Sequence, residues 1–243
     1  MKKFLSVLFL LFILAFPLFS RTSRKEIPVL TEENQTEAFE NVLGSAVRIQ
    51  GNGYYGSGSV FEIKKDEIIV VTNRHVAEHF DEEGYATFFY GGECHGSVLG
   101  CSDTADIGFI SVDLDGLEKQ EREQLREVGK RKNAYDNLNK NTCFFIVDIA
   151  SDISNPEIYQ GAVVEKEKFL PEYGMVMLYG DGGAVPGMSG SGIFDNCGNY
   201  IGTLSGATDR YEIAGVPLPT VLSEYEKIKN PDSHDGMNRD LHS

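Results

Sequence analysis

The chain has 243 residues, with 22 Lys or Arg against 37 Asp or Glu and a formal net charge of −15. That balance excludes a duplex nucleic-acid binder, which needs a basic face to neutralise phosphates, and a polybasic membrane-surface module. A hydrophobic share of 41%, with 15 Phe and 11 Tyr, can build a substantial core and excludes wholesale disorder, while 26 Gly against 8 Pro point to many turns rather than long helices.

Met1, Lys2 and Lys3 precede an apolar run over residues 4–16 in which Ser6 is the only polar side chain. A basic start, an apolar stretch of this length and the small residue Ser20 fit a secretory signal peptide over 1–20. The run is short for a spanning helix, which needs about 20 apolar residues. Arg21, Arg24 and Lys25 leave retention as an uncleaved anchor open. Either way, export is expected, to a secreted, periplasmic or cell-surface location. Within 21–43, Ala38, Phe39, Val42 and Leu43 stand at helical offsets in acidic sequence, which is read as a helical segment or a propeptide.

After residue 43 the period changes. Short β-branched or aromatic runs at 45–50, 57–63, 67–72, 86–90, 95–99 and 107–112 are separated by Gly clusters, the pattern of an all-β sandwich or barrel. Residues 114–141 are dense in charge, with Leu117, Gln120, Gln124, Leu125 and Val128 at helical spacing, and read as an exposed connector carrying an amphipathic helix. Six further strands are expected at 143–149, 161–165, 175–179, 192–194, 200–205 and 214–218, then a helix from Pro219 or Thr220 to Lys229. Residues 230–243 read as a loose polar tail. The sum is two β lobes over 44–229.

The cysteines are Cys94, Cys101, Cys143 and Cys197. An even count in an exported chain suggests disulfides, of which three connectivities are possible. Cys94 and Cys101 are close enough in sequence to staple a hairpin, and Cys143 with Cys197 would then join distant strands. No C-x-x-C spacing supports structural zinc.

Three short segments carry chemistry. Gly187-Met188-Ser189-Gly190-Ser191-Gly192 surrounds a Ser with glycines, so the backbone can turn tightly and aim successive N–H groups at one point, as an oxyanion requires. The segment 68–77 is an apolar strand ending in His75. Asp106 stands at the mouth of the strand that begins near Ile107. A His between a Ser hydroxyl and a buried carboxylate becomes a general base near neutral pH. Each segment alone has a bland reading; His, Asp and Ser in this order on a two-lobed β pattern do not.

Thr72-Asn73-Arg74-His75-Val76, Ala105-Asp106-Ile107 and Gly187-Met188-Ser189-Gly190-Ser191 resemble the catalytic motifs of trypsin-like (chymotrypsin-fold) serine peptidases, in the style of the bacterial branch with HtrA-type and glutamyl-endopeptidase-type enzymes. Gly56-Ser57-Gly58-Ser59-Val60 and Tyr200-Ile201-Gly202-Thr203 are similar to that branch's strands before the His and after the Ser. The resemblance implies two six-stranded β-barrels, an endopeptidase acting on protein or peptide substrates, and no metal or cofactor. It makes His75 the general base, Asp106 its orienter, Ser189 the nucleophile, and the N–H groups of Gly187 and Ser189 the oxyanion hole. It also favours a Cys143–Cys197 disulfide and puts Gly183, Gly206 and Gly215 at the substrate pocket. Met188 stands where animal members carry an Asp that receives a freed N-terminus, so that switch is expected to be absent. No PDZ module is expected beside this domain.

Two other readings compete. A trypsin-fold binding protein that has lost catalysis would retain the fold alone. His75-Val76-Ala77-Glu78-His79 also matches the H-x-x-E-H pattern of zinc peptidases, which needs His75 and His79 on one helical face.

Overall fold

The computed structural model describes residues 38–39, 42–208 and 210–231. The expected signal peptide at 1–20, most of the 21–43 segment and nearly all of the tail lie outside these residues. Among the described residues no helix is long and apolar enough to cross a membrane.

Twelve strands form two closed antiparallel barrels. The first contains β1 (Ala46–Gly51), β2 (Tyr54–Ile63), β3 (Glu67–Thr72), β4 (Tyr85–Phe88), β5 (Glu93–Cys101) and β6 (Gly108–Asp113), closed in the order β1-β2-β3-β6-β5-β4. The second contains β7 (Cys143–Asp148), β8 (Glu157–Leu170), β9 (Met175–Gly182), β10 (Gly192–Asp195), β11 (Tyr200–Ala207) and β12 (Glu212–Pro217), closed as β10-β11-β12-β9-β8-β7. The expected all-β class is thus observed, with the C-terminal helix Leu218–Lys229.

The apolar run of β3 explains how the barrels meet. Successive strand residues face opposite sides. Ile68 and Val70 therefore fill the first barrel with Val47, Ile49, Val60, Ile110 and Val112. Ile69 and Val71 face the other way, into a cluster that continues through Phe61 and Phe109 to the core of the second barrel. A strand buried on both faces has no polar alternation, as its sequence shows.

The connector departs from expectation. It contains a 3-10 turn (Leu114–Gly116) and two short helices, α2 (Lys119–Gln124) and α3 (Lys132–Asp136), following the single turn α1 (Arg74–Ala77). Glu118 and Glu121 form a capping box that starts α2, but at Leu125 the chain becomes extended. The backbone then pays its hydrogen bonds to the first barrel: Arg126 N–H donates to Gly44 O at 2.9 Å and Val128 N–H to Val60 O at 2.9 Å. Glu127 is buried there and accepts the Ile63 N–H at 2.8 Å. Leu117, Leu125 and Val128 are buried, flanking α2 rather than lining it.

Helix α4 (Leu218–Lys229) leaves the second barrel and lies across the first. Leu218, Val221, Glu224 and Tyr225 form its buried face. The Tyr225 ring packs against Phe61 and Phe109, each with centroids 4.9 Å away, and its hydroxyl donates to the Glu62 carboxylate. Glu224 accepts from the Ser102 hydroxyl at 2.6 Å and from Lys227 at 2.5 Å.

The expected disulfides are not formed; no S–S bond joins any of the four cysteines. Cys94 and Cys101 lie on the one strand β5, and seven steps along extended chain put them about 23 Å apart, far beyond bridging distance. They cannot staple a hairpin because they are not on two strands. Cys143 is exposed at the start of β7, while the Cys197 Sγ turns to Asn196 Oδ1 at 3.8 Å.

Tyr225→Ala is expected to destabilise the protein by about 3–5 kcal/mol, as for other buried aromatic truncations. Urea unfolding should show a lower midpoint with an unchanged slope; an unchanged midpoint would mean that α4 does not clamp the first barrel.

Acid should weaken the same contact. Burial pushes Glu62 up, but the Tyr225 hydroxyl and then Lys229, Lys64 and Lys130 hold it below the ordinary 4.5. Burial likewise raises Glu224, and Lys227 and Ser102 more than offset it. Both folded values lie below the unfolded ones, so the unfolded chain binds more protons on acidification. Their stabilisation is complete above the ordinary value of 4.5 and is lost as pH falls through the lower folded values. Unfolding midpoints measured on descending pH should therefore drop below that point, and drop less steeply in a Glu62→Gln/Glu224→Gln double variant.

Candidate active site

Three turns bring the motif residues to the junction of the barrels. The first follows β3. Thr72 Oγ1 donates to Ser57 O at 2.6 Å, and Asn73, extended at φ −76°, precedes the one-turn helix α1 that carries His75. The second is the 102–107 loop before β6. Ser102 Oγ accepts the N–H groups of Thr104 and Ala105 at 3.1 and 2.9 Å, and Ser102 N–H donates to Ile107 O at 2.8 Å. This tight turn presents Asp106 to the helix.

His75 and Asp106 are joined. The His75 Nδ1 lies 3.0 Å from both Asp106 carboxylate oxygens, and the His75 backbone N–H donates to Oδ1 at 3.3 Å. The imidazole is 40% exposed and the carboxylate 19%, so the pair sits at the edge of solvent with the acid on the inner side. Burial pushes the Asp106 carboxyl up, but the hydrogen bonds and charge of His75, together with the Ser205 hydroxyl, hold it below the usual carboxylate value. An ionised Asp106 accepts a proton-bearing Nδ1, which leaves Nε2 as the ring's acceptor.

Ser189 belongs to the third turn, between β9 and β10. Gly187 and Gly190 adopt φ +98° and +92° on either side of it. The turn is docked on the first barrel by two bonds: Ser57 N–H to Ser189 O at 2.8 Å, and Ser57 Oγ to Gly187 O at 2.9 Å. A Cβ at Gly190 would lie 2.0 Å from Ser57 O, so only glycine permits this approach. Val76, next to His75, meets the same turn: a Cβ at Gly56 would contact Val76 Cγ1 at 2.8 Å and Ser189 O at 3.3 Å. Within the described residues, Ser189 Oγ makes no hydrogen bond, and the N–H groups of Gly187 and Ser189 donate to no other group. Catalytic hydrogen bonds commonly close only around substrate.

The neighbours of Ser189 have structural partners. Met188 is fully buried, and the Val185 N–H points at its sulfur at 3.2 Å, so an apolar side chain anchors the turn from within. Ser191 is buried and directs its hydroxyl to Val147 O at 3.3 Å.

The three glycines expected at the pocket have different surroundings. A Cβ at Gly183 would touch the rings of Tyr211 and Tyr159 at 3.4 and 3.6 Å. Gly206 lies under the Tyr173 hydroxyl, 2.6 Å from where its Cβ would be. Gly215 is different: it is buried in β12 against Ile193 Cδ1 and Thr203 O, where it serves barrel packing. The helix required for a zinc site over 75–79 is also not built. Helix α1 ends at Ala77, and His79 stacks on Tyr54 at 4.5 Å while His75 turns to Asp106.

Two polar residues beside the pair had no role in the sequence reading. Asn73 is fully buried and donates from Nδ2 to Asp106 O at 3.0 Å and to Ser205 Oγ at 3.2 Å. The available signal was a buried hydroxyl, Ser205, closing the apolar run of β11.

The model of the family described as trypsin-like peptidase domain matches residues 56–202, over half of the chain. No curated protein matches the chain significantly.

The turn geometry makes a paired prediction. Gly53→Ala, at φ +71° with nothing around its Cβ, should cost only the backbone strain of about 1–2 kcal/mol. Gly190→Ala adds a collision with Ser57 O and should lower the thermal midpoint distinctly more. Equal midpoints would show that the turn is not seated against β2.

Proposed function

The chain belongs to the trypsin-like peptidase family, and from that premise we propose that it is a serine endopeptidase working through His75, Asp106 and Ser189. The observation that carries this reading is the two-pronged contact of His75 Nδ1 with the Asp106 carboxylate at 3.0 Å, beside a Ser turn docked on β2, the strand paired with the one that leads to His75. In this mechanism the Ser189 Oγ attacks the scissile carbonyl carbon as His75 Nε2 removes its proton. The carbonyl π pair moves onto oxygen, which faces the unspent N–H groups of Gly187 and Ser189. Collapse re-forms the carbonyl, breaks the C–N bond, and sends the proton from His75 to the departing amine. Water repeats the sequence on the acyl-enzyme and frees Ser189. Asp106 stabilises the imidazolium at each stage without taking its proton.

The fold supports an extended peptide as substrate. Strand β11 pairs with β10 only as far as Thr203, and Leu204 is tied to the Ser189 turn. From Ser205 to Ala207, among the described residues, that edge has no partner strand and runs directly beside Asp106. An added strand would take its backbone hydrogen bonds there.

The motifs around His75 and Ser189 favour the bacterial HtrA-like and glutamyl-endopeptidase-like branch within the family. The buried Met188 supports activation without an N-terminal ion pair. The basic and apolar start of the sequence supports export, either as a secreted or periplasmic protein or held by its N-terminal segment.

A fluorophosphonate reagent should label the wild-type protein, and Ser189→Ala should abolish the label. Ser189→Ala and His75→Ala should each lower peptide hydrolysis by about 10⁴-fold or more, with native circular dichroism. Labelling that persists in Ser189→Ala, or full turnover in His75→Ala, sinks the mechanism. A wild-type protein that neither labels nor cleaves would instead be a binding protein on this fold.

A further inference from the structure

We propose that Asn73 is a positioning residue for Asp106, gripping the acid at its main chain and bracing Ser205 beside it. The inference rests on the reading of Asp106 as the orienter of His75. Asn73 occupies the N-cap of α1, where an Asn side-chain oxygen ordinarily accepts a first-turn N–H. Here it makes no such bond. The His75 N–H, a natural target for that cap, donates instead to Asp106 Oδ1 at 3.3 Å. The acid has taken over the cap, and the displaced amide serves the acid.

The polarity of the contacts follows from proton counting. The two Nδ2 protons go to Asp106 O at 3.0 Å and Ser205 Oγ at 3.2 Å. A serine hydroxyl carries one proton, and with Asn73 donating into its oxygen, that proton is left to turn toward the neighbouring Asp106 carboxyl, which Ser205 helps to hold below its usual value. Charge-directed hydrogen bonds polarise one another along such a chain. The side-chain oxygen is left buried with no partner. A residue retained only to terminate β3 and begin α1 would turn that oxygen to the helix. The observed orientation gives up the cap and keeps both donors on the acid's supports. Because Ser205 lies on β11, the same amide also links the His-bearing barrel to the strand edge beside which substrate is proposed to lie.

The test uses Asn73→Ala, Ser205→Ala and the double variant of the full chain. Each single variant should lower kcat by about 10²-fold, the usual consequence of a slightly misplaced catalytic group, with KM within about twofold of wild type. The double variant should be no worse than the worse single, because both act on one connected chain. In parallel, the proton NMR signal of His75 Nδ1–H, assigned by its loss in His75→Ala, should be far downfield in wild type and move upfield in both single variants. That signal needs no turnover. If the wild-type protein fails to label with fluorophosphonate, the peptidase reading falls, and the proton signal alone decides the positioning role. Native kcat and an unmoved signal in folded Asn73→Ala overturn the proposal, as does a loss confined to KM. Should Asn73→Ala fail to fold, Ser205→Ala decides by the same two readouts.

Discussion

The docking of one serine turn onto one strand backbone organises this molecule. Ser57 gives its N–H to Ser189 O and its hydroxyl to Gly187 O, while its own carbonyl accepts Thr72 Oγ1. Three segments therefore meet at a single residue: β2 itself, the end of β3 that leads to His75, and the turn before β10. A side chain at Gly190 would strike the same carbonyl at 2.0 Å. The glycines around Ser189 are needed less for flexibility than for this approach, which positive φ and absent Cβ atoms jointly allow. Once the seam closes, the N–H groups of Gly187 and Ser189 are released from internal bonding. The proposed oxyanion site would in this sense be a by-product of how the barrels join.

The acidic balance of −15 takes on a more specific meaning in the fold. Several carboxylates are buried and hold turns rather than face a ligand. Asp148 accepts the N–H groups of Ala150 and Ser151 at 3.0 Å and the Ser151 hydroxyl at 2.5 Å. Asp195 takes the N–H groups of Cys197 and Asn199 and the Asn199 amide. Glu127 ties the connector to β2, and Glu224 ties α4 to the loop that presents Asp106. Buried ionised acids are tolerable only when hydrogen-bonded in this way. Others, such as Asp81, Glu82 and Glu83, remain at the surface. The charge thus divides between turn construction and solvation.

Much of the architecture was legible in the sequence because short strands announce themselves by β-branched runs and by the glycines between them. Strand β3 was read over its full length, and α4 to within two residues. Strand β8 was harder: it spans Glu157–Leu170, and its register shifts near Glu165 break the alternation on which a pattern reading depends. The connector failed for a different reason. Leu117, Leu125 and Val128 have helical spacing, yet beyond Leu125 the Arg126 and Val128 N–H groups go to the Gly44 and Val60 carbonyls, distant in sequence, and tertiary pairing outweighed local propensity. The cysteine reading failed because parity of count says nothing about whether two thiols share a strand. At the site, the motifs pointed to His75, Asp106 and Ser189, of which the fold joins the first two, but nothing local marks Ser205 as a neighbour of Asn73 132 residues away. Polar support of that kind becomes visible only when the chain is closed.

The division of labour between barrels also identifies the least constrained distance in the site. His75 and Asp106 are held within the first barrel by three contacts and by the Ser102 turn, itself fastened through Glu224 to α4. The Ser189 turn is held by the Ser57 N–H on Ser189 O, by the Ser57 hydroxyl on Gly187 O and by the buried Met188. No bond between described residues spans the gap from Ser189 Oγ to His75 Nε2. The elements that set this gap are the Ser57 seam, the Asn73–Ser205 contact and the packing of Ile69 and Val71 against the shared core. A peptide added along the β11 edge would touch both barrels at once. The binding energy of a long substrate would then be spent on closing the one distance the fold leaves open, so that distant subsites act on kcat as well as on KM.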